Sequence, residues 1–355
     1  MRFRSSLAAA ITACALLAGC GTGSGSAAPS SSLSSATSSA PAAVSSPALT
    51  SSASSASAAS TSAASSSAAV SSVVSSSPAV SSALSAASSS AATSSTPATA
   101  PRRIVSLSPT ATEDLFAIGA GSQVVAVDSD STFPATAPKT NLSAYKPNVE
   151  AIAKYKPDLV VLSDDIDNIQ AQLKQLSIPV MLEPAAASLD EAYQQIEALG
   201  SATGHSADAG RTVAAMRSGI AALVGTIPRR TTALTYYHEL DNTLYTVSSK
   251  TFVGQIYALA GLKNVADASN GAGTAYPQLS AEYLVKADPD LVFLADTKCC
   301  QQTAATFGAR PGFSVLSAVK NKQVVLLDDD VASRWGPRVV DLLKSIVGAV
   351  KSARS

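Results

Sequence analysis

From residue 102 onward the chain alternates short apolar runs with stretches whose apolar positions recur every three to four residues. RRIVSLSP (102–109), VVAVDS (124–129), DLVVLS (158–163) and IPVMLE (178–183) read as strands; TATEDLFAIGA (110–120), 148–155 and IDNIQAQLKQL (166–176) read as helices between them. Strands that are apolar throughout, rather than at every second position, suit a sheet covered on both faces, so the pattern predicts parallel strands between helix layers. A long helical stretch follows at 188–225, interrupted around Gly200 to Gly204, and its second part has no strand within reach. After Pro228 the alternation resumes with TTALTYY (231–237), LYTV (244–247), a helix over 251–261, another over 280–287, DLVFLAD (290–296) and QVVLLD (323–328), closing on a helix over 336–353. The predicted fold class is α/β: two three-layer lobes with mainly parallel sheets, 102–205 and 228–355, joined by one long α-helix over 206–227.

One unit occurs twice. NVEAIAKYKPDLVVLSDD (148–165) and SAEYLVKADPDLVFLADT (280–297) align without a gap, so Glu150 matches Glu282, Pro157 matches Pro289 and Asp164 matches Asp296. Each Glu stands two residues after a helix-capping residue, Asn148 or Ser280, where the helix dipole favours a carboxylate by ~0.3–1 kcal/mol and the side chain can face water. A pair of acids set out this way suits a receptor made of two like subunits. The alternative is that each acid merely steadies its own helix start.

Composition separates the first hundred residues from the rest. Residues 1–20 carry Arg2 and Arg4 before an apolar run too short to span a bilayer comfortably, as a secretory signal does. The segment ends in Leu17-Ala18-Gly19-Cys20, which resembles the lipobox of bacterial lipoproteins; that resemblance implies cleavage before Cys20 and a diacylglyceryl group on its sulfur. Two acyl chains hold a membrane stably where one does so marginally. The alternative is an ordinary signal peptide in which Cys20 is incidental. Residues 21–101 are almost wholly Ser, Ala, Thr, Pro and Val, without a charge or an aromatic ring. Such a stretch cannot bury enough apolar surface to fold, so it is expected to be a disordered tether reaching roughly 50 Å.

Charge and cysteines narrow the function. With Arg2 and Arg4 set aside, 23 basic residues face 25 acidic ones, a balance that argues against a nucleic-acid partner. Cys299 and Cys300 are adjacent; outside the cytoplasm they can close a strained vicinal disulfide, or they can remain two thiols on a loop. Only two histidines occur, His205 and His238, too few and too far apart for a zinc or manganese site. No nucleophile elbow, P-loop or dinucleotide fingerprint is present, so an enzyme is not expected. A hydrolase built on His238, Glu239 and Asp241, and a wall-associated structural lipoprotein, remain as distant alternatives.

The segments RRIVSLSPTATEDLFAIGA, NVEAIAKYKPDLVVLS, TFVGQIYALAGLKNVAD, YPQLSAEYLVKADPDLVFL and SRWGPRVVDLL, in this order and spacing, resemble the substrate-binding proteins of ABC importers for iron chelates, haem and cobalamin, the cobalamin branch most closely. The resemblance covers essentially all of 102–355. It implies an extracytoplasmic, monomeric protein, lipid-anchored at the outer face of the cell membrane. Such a protein carries no intrinsic cofactor and takes a metal chelate (cobalamin, haem or a ferric siderophore) between its lobes. It further implies that Glu150 and Glu282 dock into Arg-containing pockets on an ABC permease dimer. Strand C-termini face the crevice in such sheets, which makes Ser108, Asp128, Tyr145 and Asp165 the candidate ligand residues of the first lobe. On the second lobe they are His238, Tyr276, Asp330, Arg334 and Trp335. Tyr145 and Tyr276 lie near positions where the family stacks aromatic rings on a flat macrocycle, often Trp in cobalamin binders. Asp330 and Arg334 align with polar ligand contacts of that branch. The remaining choice for the LLDDDVASRW stretch is a solvated turn capping the last helix with Trp335 in the core.

Overall fold

The computed structural model describes residues 100–269, 271 and 273–353. The signal peptide, the tether and Cys20 lie outside the described residues.

Among the described residues, eight strands form two sheets of four. The first contains β1 (Ile104–Leu107), β2 (Val124–Val127), β3 (Leu159–Leu162) and β4 (Val180–Leu182), in the order β2-β1-β3-β4. The second contains β5 (Thr235–Glu239), β6 (Lys263–Asn264), β7 (Leu291–Leu294) and β8 (Val324–Leu326), in the order β6-β5-β7-β8. Every pairing within them is parallel. The central strands β1, β3 and β7 are buried at every position, as their unbroken apolar runs require.

The repeated unit occupies the same place in both sheets. Helix α2 (Val149–Ala153) leads into β3, and α7 (Ala281–Ala287) leads into β7. Each helix is closed by a left-handed residue, Lys156 or Asp288, just before the proline of the motif. The Asp after that proline does one job twice. The Asp158 carboxylate accepts from the N–H groups of Arg102 and Arg103 at 2.8 Å each, and Asp290 accepts from Thr235 N–H at 2.7 Å. Backbone donors at the start of the neighbouring central strand are thereby satisfied, which is why Pro-Asp-Leu-Val recurs.

Helices α1 (Pro109–Ala117) and α3 (Ile169–Gln175) flank the first sheet. The long helical stretch divides into α4 (Leu189–Thr203) and α5 (Ser206–Val224) at Gly204, which takes the left-handed conformation at φ 80°. Helix α5 packs against α4 and against the last helix, α11 (Val339–Ser352), and so lies between the two sheets in sequence and in packing. The second half also holds α6 (Phe252–Leu259), α8 (Ala304–Gly308), α9 (Ser317–Lys320) and α10 (Asp329–Ser333). Among the described residues no helix is long and apolar enough to cross a membrane.

Two sequence expectations fail locally. LYTV is not a sheet strand: Thr243 binds back to Asp241 through its N–H (2.8 Å), Leu244 takes φ 69°, and the following residues pair with 275–279 instead. The acidic turn at 328–330 does not cap the last helix. Asp328 caps α10, accepting from the N–H groups of Asp330 and Val331.

Candidate functional site

A cavity of about 490 Å³ opens where the C-terminal ends of β1 to β4 face the segment that follows β8. Ser108 enters from β1, where it also caps α1; Asp128, Asp130 and Thr132 follow β2; Ser163 and Asp164 follow β3; Ala185 follows β4. Tyr145 joins from the loop ahead of α2 and is 72% exposed, with its ring available. The opposite wall consists of Asp330, Ser333, Arg334 and Trp335, carried by α10 and the residues after it. Helix α10 owes its position to Asp329, whose carboxylate takes the N–H groups of Thr297, Lys298 and Cys299 at 2.8–2.9 Å and so ties it to the loop after β7.

The two walls are bonded to each other. Arg334, 7% exposed, donates through Nη1 to Glu113 (2.5 Å) and through Nη2 to the Asp130 carbonyl (2.7 Å) and the Asp330 carboxylate (2.9 Å). Glu113, itself 3% exposed, also accepts from Arg338 Nε at 2.8 Å, which completes a buried Arg–Glu–Arg group between α1 and the start of α11. Asp330 accepts in addition from Thr132 Oγ1 at 3.0 Å and Lys298 Nζ at 3.1 Å. Burial pushes against ionisation of Asp330, but Lys298, Arg334 and Thr132 outweigh it and hold the carboxyl below the ordinary value.

Other acids here run the opposite way. Burial raises Asp128, helped by neighbouring Asp130 and opposed by the Ser131 hydroxyl, and its Oδ2 has no partner. Beneath the wall, burial drives Asp114 well above the carboxylate range, with Glu113 and Glu183 adding to it, and burial lifts Glu183 to about 7. A carboxyl raised in the folded state stabilises the fold below its unfolded value of 4.5 and loses that contribution as pH climbs to about 7. Wild-type stability relative to Glu183→Gln is therefore expected to fall between pH 4.5 and 7. Urea unfolding of both proteins across that range checks this, and parallel curves would refute it.

The family model described as "Periplasmic binding protein" matches residues 104–331. The chain belongs to that family. An ABC transporter substrate-binding lipoprotein of Bacillus subtilis is 30% identical over 260 residues, spanning 70% of this chain and 80% of the relative. A cobalamin-binding protein of Halobacterium salinarum is 31% identical over 258 residues, spanning 70% of this chain and 69% of the relative. Among solved structures, a periplasmic haem-binding protein of Roseiflexus superposes with TM-score 0.63 at 26% identity, covering 71% of this chain and 99% of that one.

Six of the nine ligand candidates of this periplasmic binding protein line the cavity: Ser108, Asp128, Tyr145, Asp330, Arg334 and Trp335. Three do not. His238 points into the second lobe's core, fully buried, with Nδ1 at 2.8 Å from the Tyr257 hydroxyl, and burial lowers it to about 3, so it stays neutral. Alternation along β5 turns that side chain toward the covering helix α6 rather than to the strand end. Asp165 is spent on the start of α3, accepting from Gln170 N–H at 2.9 Å, and its neighbours Asp164 and Ile166 reach the cavity instead. Tyr276 is 58% exposed on a loop pinned on either side by Thr246 N–H to the Pro277 carbonyl and Ser248 N–H to the Ala275 carbonyl. Trp335 serves both readings open in the sequence: it packs against the core, donates Nε1–H to Gln195 at 2.8 Å and lines the cavity.

Glu150 and Glu282 lie in separate sheets' approach helices, both exposed and in no ion pair among the described residues. Asn148 accepts from Ala151 N–H and Ser280 from Tyr283 N–H, fixing each helix start. Its own backbone N–H and the Ser280 hydroxyl hold the Glu282 carboxyl below its ordinary value. Cys299 and Cys300 are thiols, the first exposed and the second half-buried.

Proposed function

We propose that this chain is the lipid-anchored, extracytoplasmic solute-binding component of an ABC importer, that it carries a corrinoid-type chelate in the cleft between its lobes, and that it docks on a permease dimer through Glu150 and Glu282. The family, and the relatives that are an ABC transporter lipoprotein and a cobalamin-binding protein, support the transport part of this reading.

The observation that carries the choice of cargo is the charge of the cavity wall. Asp128, Asp130, Asp164 and Asp330 line it; Asp330 is paired with Arg334 and Lys298, and Arg334, the one cation among the lining residues, is also engaged by Glu113 and the Asp130 carbonyl, so Asp130 and Asp164 face the cavity without an ion-pair partner among the described residues. A cobalamin ring is fringed by neutral carboxamides, whose N–H groups can donate to those carboxylates. Haem brings two propionates and many ferric siderophores bring anionic oxygens. Each like-charge contact at about 4 Å costs on the order of 1–4 kcal/mol at effective dielectrics between water and a protein surface. Tyr145 and Trp335 supply aromatic faces for a flat ring, about 0.5–1.5 kcal/mol each beyond burial.

A second reading, haem, draws on Tyr145, whose exposed phenol could serve as an axial iron ligand. The charge argument is tested by comparing cyanocobalamin with a corrinoid whose side-chain amides have been hydrolysed to carboxylates. Binding at least tenfold weaker for the carboxylate form is expected; equal affinity would overturn the charge argument.

A further inference from the structure

Cys299 and Cys300 have no part in the cargo site, yet they are joined to it. Cys299 N–H is the third backbone donor on the Asp329 carboxylate, at 2.9 Å, and Asp329 is the first residue of α10, the helix that presents Asp330 and Ser333 to the cavity. Between the two cysteines and that helix stands Lys298, whose Nζ reaches Asp328 at 2.8 Å and Asp330 at 3.1 Å. The loop returns through Cys300 N–H and Gln302 N–H, both directed at the Asp296 carbonyl, and Gln302 Nε2 bonds the Cys300 carbonyl at 3.2 Å. A change of backbone at 299–300 therefore has few ways to relax that leave Asp329 in place.

The two free thiols are carried by consecutive residues of this loop. Neighbouring Cα atoms stand about 3.8 Å apart, short of the roughly 4.4–6.8 Å over which a disulfide is relaxed. A bond between adjacent cysteines is consequently strained, and strained disulfides are the readily reduced kind.

We propose that Cys299 and Cys300 form a reversible vicinal dithiol–disulfide site, oxidised by small-molecule disulfides, whose closure displaces the Asp329 clasp and with it the second-lobe wall of the cavity. The chemistry is two exchanges. One cysteine sulfur attacks the oxidant's disulfide and expels one thiolate; the second attacks the resulting mixed disulfide and expels the other. Two protein thiols lose two protons and two electrons, and one oxidant becomes two thiols. The slight burial of the exposed Cys299, its neighbour Cys300 and the nearby acids Asp329 and Asp296 push its thiol upward, so exchange quickens in alkali. The inference does not depend on which cargo is carried.

The test uses the full chain, incubated with oxidised glutathione at pH 8.5, then with dithiothreitol. Peptide mapping is expected to find a loss of about 2 Da confined to the peptide holding both cysteines, with neither sulfur open to alkylation. Trp335, the only tryptophan of the chain, is expected to change emission on oxidation and recover on reduction. Cys299→Ser and Cys300→Ser, made singly, are expected to show neither effect. A persistent dithiol, a stable glutathione adduct in place of the ring, or ring closure with unaltered Trp335 emission would each overturn the proposal.

Discussion

Glu113→Ala is expected to cost about 3–5 kcal/mol of folding stability and to lower Tm by on the order of 10 °C. The residue is 3% exposed and holds two guanidinium groups, Arg334 and Arg338, that come from the far side of the cleft. Taking it away leaves two largely buried cations facing each other with only Asp330 left to offset Arg334, which costs far more than the net worth of the ion pairs themselves. Desolvation is the reason: the native group breaks even or slightly better, while a broken one retains the whole penalty. Replacing all three by apolar residues should hurt less than removing Glu113 alone. Chemical denaturation of the single and triple variants measures this; a loss under 1 kcal/mol for Glu113→Ala would mean that the cluster is solvated.

Reversing both acids proposed to dock, Glu150→Lys with Glu282→Lys, is expected to abolish uptake while leaving cargo affinity within about twofold. Both side chains are exposed at capped helix starts, so their exchange should leave the fold intact, with exposed helix-start charges worth ~0.3–1 kcal/mol. Single reversals should weaken uptake in part, because one lobe would still engage its subunit. Uptake of labelled cargo in cells carrying each variant in place of the wild type decides it. Unchanged transport in the double variant would remove the docking assignment.

Much of the architecture was legible because strand burial writes itself into apolar runs. Val105, Val160 and Val292 stand at the centre of buried strands, and the Pro-Asp-Leu-Val repeat marks equivalent places in the two sheets. Ser108 and Asp128, read as crevice residues because each follows a parallel strand, do line the cavity, as does Asp330, which the resemblance picks out. The cleft's polar interior was not legible. Glu113 and Asp114 sit in a helix whose polar face looks like any solvated face; only the opposing Arg334, Arg338 and Gly336, 221 or more residues away for the bonded pairs, reveal that this face is buried. His238 and Asp296 show the converse. Both stand at or near strand ends and both are fully buried, because a strand end presents one side chain to the crevice and the next to the covering helices. Asp164 and Asp296 hold the same place in the repeat, yet one lines the cavity and the other is buried beside Glu239, pushed up to about 7 chiefly by burial. Duplication preserved the scaffold and let the two ends diverge.

The acid-walled cleft is expected to prefer an uncharged, amide-fringed ring to an anionic one. Titrating the protein with cyanocobalamin, haemin and a ferric catecholate while following Trp335 emission measures that preference at the cavity itself. Saturable one-to-one quenching by cyanocobalamin, at least tenfold tighter than by either anionic chelate, is the expected result. Tight haemin binding that disappears in Tyr145→Phe, beside no response to cyanocobalamin, would contradict it.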